Sequence, residues 1–493
     1  MRPAWILAHG LGGRADLPLP AWMFGYGAAA ALLVSFAALG LFWPTPRLED
    51  GTREWVLAGS SAWPVRVLAA VARLGGLVAF AVVMVAAAIG DNSSRTNLAP
   101  VAVFIAFWVG LAFVSGLVGD VWQVLSPFDT LAAIGQRLRG RPAEAGPASP
   151  GDASGPGTTA GPVSPDDDGS AAGGSEGEDV DDDGYDDDGY EDEDGGDEPA
   201  GRDWGYWPAA AGILVFVWVE LVYPQRAEPR TLFVLMAAYS VAVLVGAVRW
   251  GRDWLREGEA FGALFGVLGH AAPVHRGDDG RLRVRPPFAG LARMEWRPGL
   301  EALVLIALGS TSFDGLSRTR FWLRLTGDLS GGPAQLASTA GLLWGITTVT
   351  IAYVGAMRVA AHLVDGRYSA EELRASFIHS LVPIVLAYAV AHYFSYFVLE
   401  GQATVSLVSD PLGRGWDLFG TASRVVDYTF VSTRTVSYVQ CGSIVVGHVA
   451  GVVIAHDRAL ALFDKRAAAR SQYPLLAAMV LFTVGGLYLL LGG

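Results

Sequence analysis

Runs of about 20 uncharged, apolar residues recur along this chain, and nothing else in it constrains the fold so tightly. A helix on a soluble protein is apolar along one stripe only, whereas a run that is apolar all round and this long matches the hydrocarbon core of a bilayer. Inside that core every backbone N–H and C=O must be satisfied within the segment, which a helix does. The sequence therefore predicts an all-α, polytopic transmembrane bundle. Ten spans are expected, near residues 21–43, 66–89, 99–119, 206–224, 231–248, 298–317, 336–361, 375–399, 438–456 and 473–490. A composition 52% hydrophobic and 17% charged agrees with this.

The arginines choose the direction. With the amino terminus outside, the cytoplasmic loops (Arg47 to Arg66, Arg137 to Arg202, Arg249 to Arg297, Arg358 to Arg374 and Arg458 to Arg470) hold 23 basic residues, and the opposite loops hold 10. Positive charge is retained on the cytoplasmic side, so both termini are expected outside a plasma membrane crossed many times, with lipid as the first partner.

The formal charge of −13 is misleading, because 18 of the 48 acidic residues lie between Asp166 and Glu198; removing them leaves 30 against 35 basic residues. The body is mildly basic, and no nucleic-acid partner is expected. Residues 142–203, rich in Gly, Pro, Ser and Asp, have little to bury and predict a disordered acidic cytoplasmic loop. Its repeat Asp181-Asp182-Asp183-Gly184-Tyr185 is a poor calcium loop: an EF-hand register from Asp179 sets Tyr190 where a bidentate Glu is needed. The organisation is then a segment 1–20 outside the membrane, helices 1–3 in 21–141, the loop, helices 4–5 in 204–248, a cytoplasmic segment 249–297, and helices 6–10 in 298–493. In 249–297, Trp250, Trp254, Phe261, Leu264, Phe265 and Leu268 at helical spacing predict a helix lying in the membrane interface. Asp278-Asp279-Gly280 before alternating Arg281 to Arg285 predicts a hairpin.

Titratable groups inside a bilayer are costly and so are candidates for function. They gather in the last five spans: His379, Tyr388, His392, Tyr396 and Glu400 on the eighth, Cys441, His448, His456 and Asp457 on the ninth, and Asp314 near the outer end of the sixth, with Glu220 in a like position on the fourth. Counting about 1.5 Å per residue from the span ends brings His392 and His448 to nearly one depth. His392, His448 and Asp314 are the expected catalytic residues, and a divalent transition metal, zinc or copper, is expected on His392 and His448 with Cys441, Asp314 or Glu400 as third ligand. Asp314 needs a partner, and Arg318 or Arg320 is expected to supply it. Ser310 and Thr311 are expected to bond backbone carbonyls. His379, His456 and Asp457 are expected as wetted polar residues at the inner helix ends.

Several stretches, Ala8-His9-Gly10-Leu11-Gly12-Gly13, Ser312-Phe313-Asp314-Gly315-Leu316-Ser317-Arg318-Thr319, His379-Ser380-Leu381-Val382-Pro383, Gly447-His448 and Ala455-His456-Asp457-Arg458, resemble actinobacterial multi-pass membrane proteins labelled fenitrothion hydrolase. The resemblance implies hydrolysis of an organophosphate ester, with a metal-bound hydroxide attacking phosphorus. It also implies a secretory leader, of which residues 1–20 hold a remnant; cleavage after Ala8 would leave His9 as an amino-terminal copper ligand. The residues by themselves slightly favour a proton- or metal-coupled transporter or channel, with titratable groups at two depths of one helix pair. A third reading, a scaffold recruiting partners, rests on the acidic loop.

Overall fold

The computed structural model describes residues 21–48, 53–59, 63–138, 204–277 and 279–492. The acidic insert 142–203 and His9 lie outside them. Among the described residues the long helices are α1 (Ala21–Phe42), α2 (Trp63–Ile89), α3 (Leu98–Leu117), α4 (Trp207–Val222), α5 (Pro229–Trp250), α6 (Ala260–Gly269), α7 (Leu300–Ser317), α8 (Gly332–Leu363), α9 (Ala370–Ser409), α10 (Thr433–Leu462) and α11 (Lys465–Gly492). Nine of these are long and apolar enough to cross a membrane. The chain is thus an integral membrane protein built as an all-α polytopic bundle.

The two ends of the bundle are told apart by their loops. One face carries a small sheet, in which β1 (Trp55–Ala58) and β2 (Val274–Arg276) flank the central β3 (Leu282–Val284), both antiparallel to it. β2 and β3 are the expected hairpin; β1, from the loop between α1 and α2, is a strand that the sequence did not announce. Glu54 ties the sheet together, accepting from Arg283 Nη1 at 3.2 Å and Arg293 Nη1 at 2.9 Å with His275 Nε2 at 3.5 Å. On the opposite face, Asp91 N donates to Leu412 O at 2.8 Å and Arg230 N to Asn92 Oδ1 at 3.1 Å.

The expected span at 206–224 is α4, 16 residues long. At about 1.5 Å per residue it falls short of the roughly 30 Å core, so length alone does not mark it as a crossing. Its ends nonetheless reach both faces. Tyr206 N, just before it, donates to Pro298 O at the sheet face, and the turn after it leads to Arg230 at the other.

The segment after α5 departs from expectation. Rather than lying in the interface, α6 is packed inside the protein, with Ala260, Phe261, Ala263, Leu264, Phe265, Val267 and Leu268 all buried. Phe261 meets Phe107 of α3 at 4.7 Å between ring centroids, Phe216 of α4 at 4.9 Å and Tyr239 of α5 at 5.6 Å, each near the middle of its helix. The chain therefore dips inward through Trp254–Glu257 and returns to the sheet face along α6. Missing side chains make the room: a Cβ on Gly246 would stand 2.3 Å from the Trp254 ring, and one on Gly212 2.8 Å from Ala260 Cβ.

A helix that begins at such depth exposes N–H groups to an apolar setting where each unmet bond is costly. Glu259, 2% exposed, meets them. Its carboxylate accepts from Phe261 N at 2.9 Å, Gly262 N, Trp122 Nε1 at 3.1 Å and the Tyr239 hydroxyl.

In α3 the backbone is wound as a π-helix over Ala102–Leu111, ahead of a regular last stretch. The stretch between the expected spans 375–399 and 438–456 is partly helical, since α9 continues through 3₁₀ turns to Ser409.

Candidate functional site

Asp314 lies in the last turn of α7, where i to i+4 spacing folds the Arg318 side chain back along the helix. Arg318 Nε and Nη2 both donate to Asp314 Oδ1, at 3.1 and 2.7 Å. Of the two arginines expected as partners, Arg318 is the one that serves. The other oxygen faces α9: His392 Nε2 stands 2.6 Å from Asp314 Oδ2, and the Tyr393 hydroxyl donates to the same atom at 3.3 Å. Tyr393 also reaches Glu220 Oε1 on α4 at 3.4 Å. The side chains of Asp314 and His392 are 4% and 9% exposed, that of Arg318 36%.

Three helices thus bring Glu220, Tyr393, Asp314 and His392 into one hydrogen-bonded series, with Arg318 branching from Asp314 toward the more exposed side. Arg226 stands within electrostatic reach of Glu220 and Asp314, so two guanidinium groups face two carboxylates. Tyr393 was not singled out in the sequence, because it sits one residue from His392 and so about 100° round the helix; Asp314 lies between the two side chains and receives both.

The expected meeting of His392 with His448 is corrected by the packing. A Cβ on Gly447 would stand 2.2 Å from Ala387 Cβ and 2.7 Å from Pro383 O, which sets His448 against the turn before His392. The neighbour of the His448 ring is Tyr388, at 6.2 Å between centroids. Helix α10 begins at Thr433, five residues ahead of the expected start at 438, so counting inward from that start misjudged the depth. His448 Nδ1 bonds Ile444 O at 2.8 Å.

The other expected ligands are dispersed. Cys441 lies in an apolar cluster with Ala28, Ala391, Ile444 and Leu487. Glu400 accepts from the Tyr428 hydroxyl at 2.9 Å. Among the described residues no three His, Cys, Asp or Glu side chains converge as a metal site. Both oxygens of Asp314 are already engaged, so the described residues do not form the donor set that zinc or copper needs.

Ser310 and Thr311 donate to Ala307 O at 3.1 and 2.9 Å, as expected, and Ser312 donates to Leu308 O at 3.0 Å. The inner polar residues are not wetted helix ends: His379, His456 and Asp457 are 4%, 4% and 0% exposed. Asp457 accepts from Trp43 Nε1 at 2.9 Å, Arg47 N at 2.7 Å and Leu48 N at 3.0 Å, and His456 Nε2 stands 3.2 Å from Trp43 O. The pair anchors the chain leaving α1, a role that spacing along α10 could not reveal because the partner is 414 residues away.

Comparison with protein-family models, with curated proteins and with solved structures finds no match for this chain.

Proposed function

We propose that this integral membrane protein carries protons, by themselves or coupled to a small ion or solute, along the series Glu220, Tyr393, Asp314 and His392. The observation that carries the reading is the 2.6 Å contact of His392 with Asp314, both nearly buried between helices. Charged groups in such a place are costly, and proton relays are a common reason for keeping them. The excess of arginine in the loops of the sheet face supports placing that face in the cytoplasm of a cell bounded by this membrane, with both termini outside.

Full-length protein in liposomes with an imposed pH gradient and an internal pH dye tests it. Asp314→Asn and His392→Gln should each slow proton flux at least about ten-fold, the loss expected when a buried relay member is removed. Wild-type flux equal to that of empty liposomes, or unchanged flux in both variants, overturns it.

A second reading, hydrolysis of an organophosphate-type ester, is favoured by the resemblance of the Ser312 to Thr319 segment and by the hydroxyls of Thr311 and Ser312, which line one cavity with His392. His392, oriented by Asp314, would take the proton from a water attacking phosphorus as the aryloxide leaves. Turnover of a nitrophenyl phosphorothioate by purified protein, lost in His392→Ala, supports it; no turnover with or without added zinc or copper counts against it.

A further inference from the structure

Helices α7, α9, α10 and α11 line a partly open cavity of about 20 Å³ whose wall includes Thr311, Ser312, Tyr388, His392, Ile444 and Gly486. One water needs roughly 10–15 Å³ of such space and two to four polar partners, whereas an apolar hole of similar size stays dry. Most of this wall is apolar, but three hydroxyl side chains and an imidazole belong to it. Thr311 and Ser312 spend their protons on carbonyls of their own helix, and Tyr388 donates to Phe482 O at 3.1 Å, so all three hydroxyl oxygens keep lone pairs for a donor. Gly486 sets the Tyr388 hydroxyl there: a Cβ would lie 1.5 Å from its oxygen, so only glycine lets the ring reach the wall. Behind this wall, with its ring 6.2 Å from that of Tyr388, His448 bonds the carbonyl of Ile444, a wall residue, through Nδ1, while its Nε2, in a residue 0% exposed, has no hydrogen-bond partner among the described residues. With the Nδ1 proton engaged, Nε2 is an acceptor awaiting a donor.

We propose that this cavity seats one water molecule, held by His392 and by the hydroxyls of Thr311, Ser312 and Tyr388, which extends the series from His392 toward His448. The inference rests on the proton-carrying reading and gives it an inward continuation. The water takes a proton from a ring N–H of His392 as it releases one of its own toward the lone pair of His448 Nε2, so oxygen and charge balance and the water is regenerated. Two buried imidazoles that do not touch are thereby joined through a shared solvent molecule.

The test is solid-state NMR of the full chain in lipid bilayers with ¹⁵N-labelled histidine, reading magnetisation transfer from water to each ring, with His392→Gln and His448→Gln assigning the signals. Transfer to both rings is expected in the wild type. It should be lost at both in Ala391→Val, which adds two methyl groups to the cavity wall, and weakened in the near-isosteric Thr311→Val, which serves if Ala391→Val fails to fold. Dry rings in the wild type overturn the proposal, as does transfer that survives in every folded variant. Flux in liposomes with dry rings removes this inference alone; wet rings without flux remove the proton-carrying reading and leave the water site standing.

Discussion

Asp314 and His392, 78 residues apart, meet at 2.6 Å across two helices, and the same carboxylate holds Arg318 from its own helix. One carboxylate therefore joins a guanidinium of its own helix to an imidazole of another.

Replacing it should cost stability as well as transport. Asp314→Asn leaves the partly exposed Arg318 guanidinium without its anion and is expected to destabilise by about 1–3 kcal/mol, the loss of charge-assisted hydrogen bonds that water only partly replaces. Thermal unfolding in detergent measures this, and Asp314→Asn with Arg318→Met together should cost less than the sum of the two. Additive losses would show that the pair is not coupled.

Glu259 supports a different structure. In Glu259→Ala the Trp122 indole, the Tyr239 hydroxyl and two backbone N–H groups lose their acceptor together, at about 1–3 kcal/mol for each group left buried and unmet. Hydrogen exchange at Phe261 and Gly262 should rise well before global unfolding, while amides in α10 stay protected. Unchanged exchange at the head of α6 would mean that the carboxylate is dispensable.

Asp457→Ala should free the chain that follows α1. Trypsin is expected to cut after Arg47 at a dilution that leaves the wild type intact, with the rest of the bundle folded. Equal resistance of both proteins would assign the anchoring elsewhere.

The sheet should loosen in acid. Burial alone would raise the Glu54 carboxyl, but the hydrogen bond from Arg283 and the charges of His275 and Arg293 outweigh it and hold it below its ordinary value. His275 is also lowered, first by burial and then by Arg285, with Glu54 offsetting part of the effect. A carboxyl held low stabilises above its unfolded value and loses that contribution as pH falls through the folded one. An imidazole held low likewise resists protonation in the fold, so its contribution is complete above about 6.5 and declines below. Both act in the same direction: the protection of β3 amides relative to their intrinsic exchange rates should fall as pH drops below about 6.5, and His275→Gln should move the onset into the carboxylate range. A flat profile between those limits would contradict the assignment.

Most of the bundle could be read from run length, because a bilayer imposes a minimum on apolar helices and little in the chain imitates one. Asp314 with Arg318 was legible too, being a local i to i+4 pair. Contacts set by packing between distant helices were not. The depth of His448 depended on how far α10 extends beyond the bundle, and Glu259 looked like one acid among several in a polar segment. The run from Ala260 to Ala272 gave the one available signal for α6, being too short to span yet free of charge; its spacing fits an interfacial and an interior helix equally.

The inward dip before α6 bears on how such a chain is assembled. Trp122, Phe216 and Tyr239, which close over its head, all come earlier in the sequence, so the socket is already synthesised when Glu259 leaves the ribosome. The half-helix can seat as soon as it is made, while α7 to α11 are still to come. A late-forming element would have left its polar end waiting in lipid; the order of the gene spares it that delay.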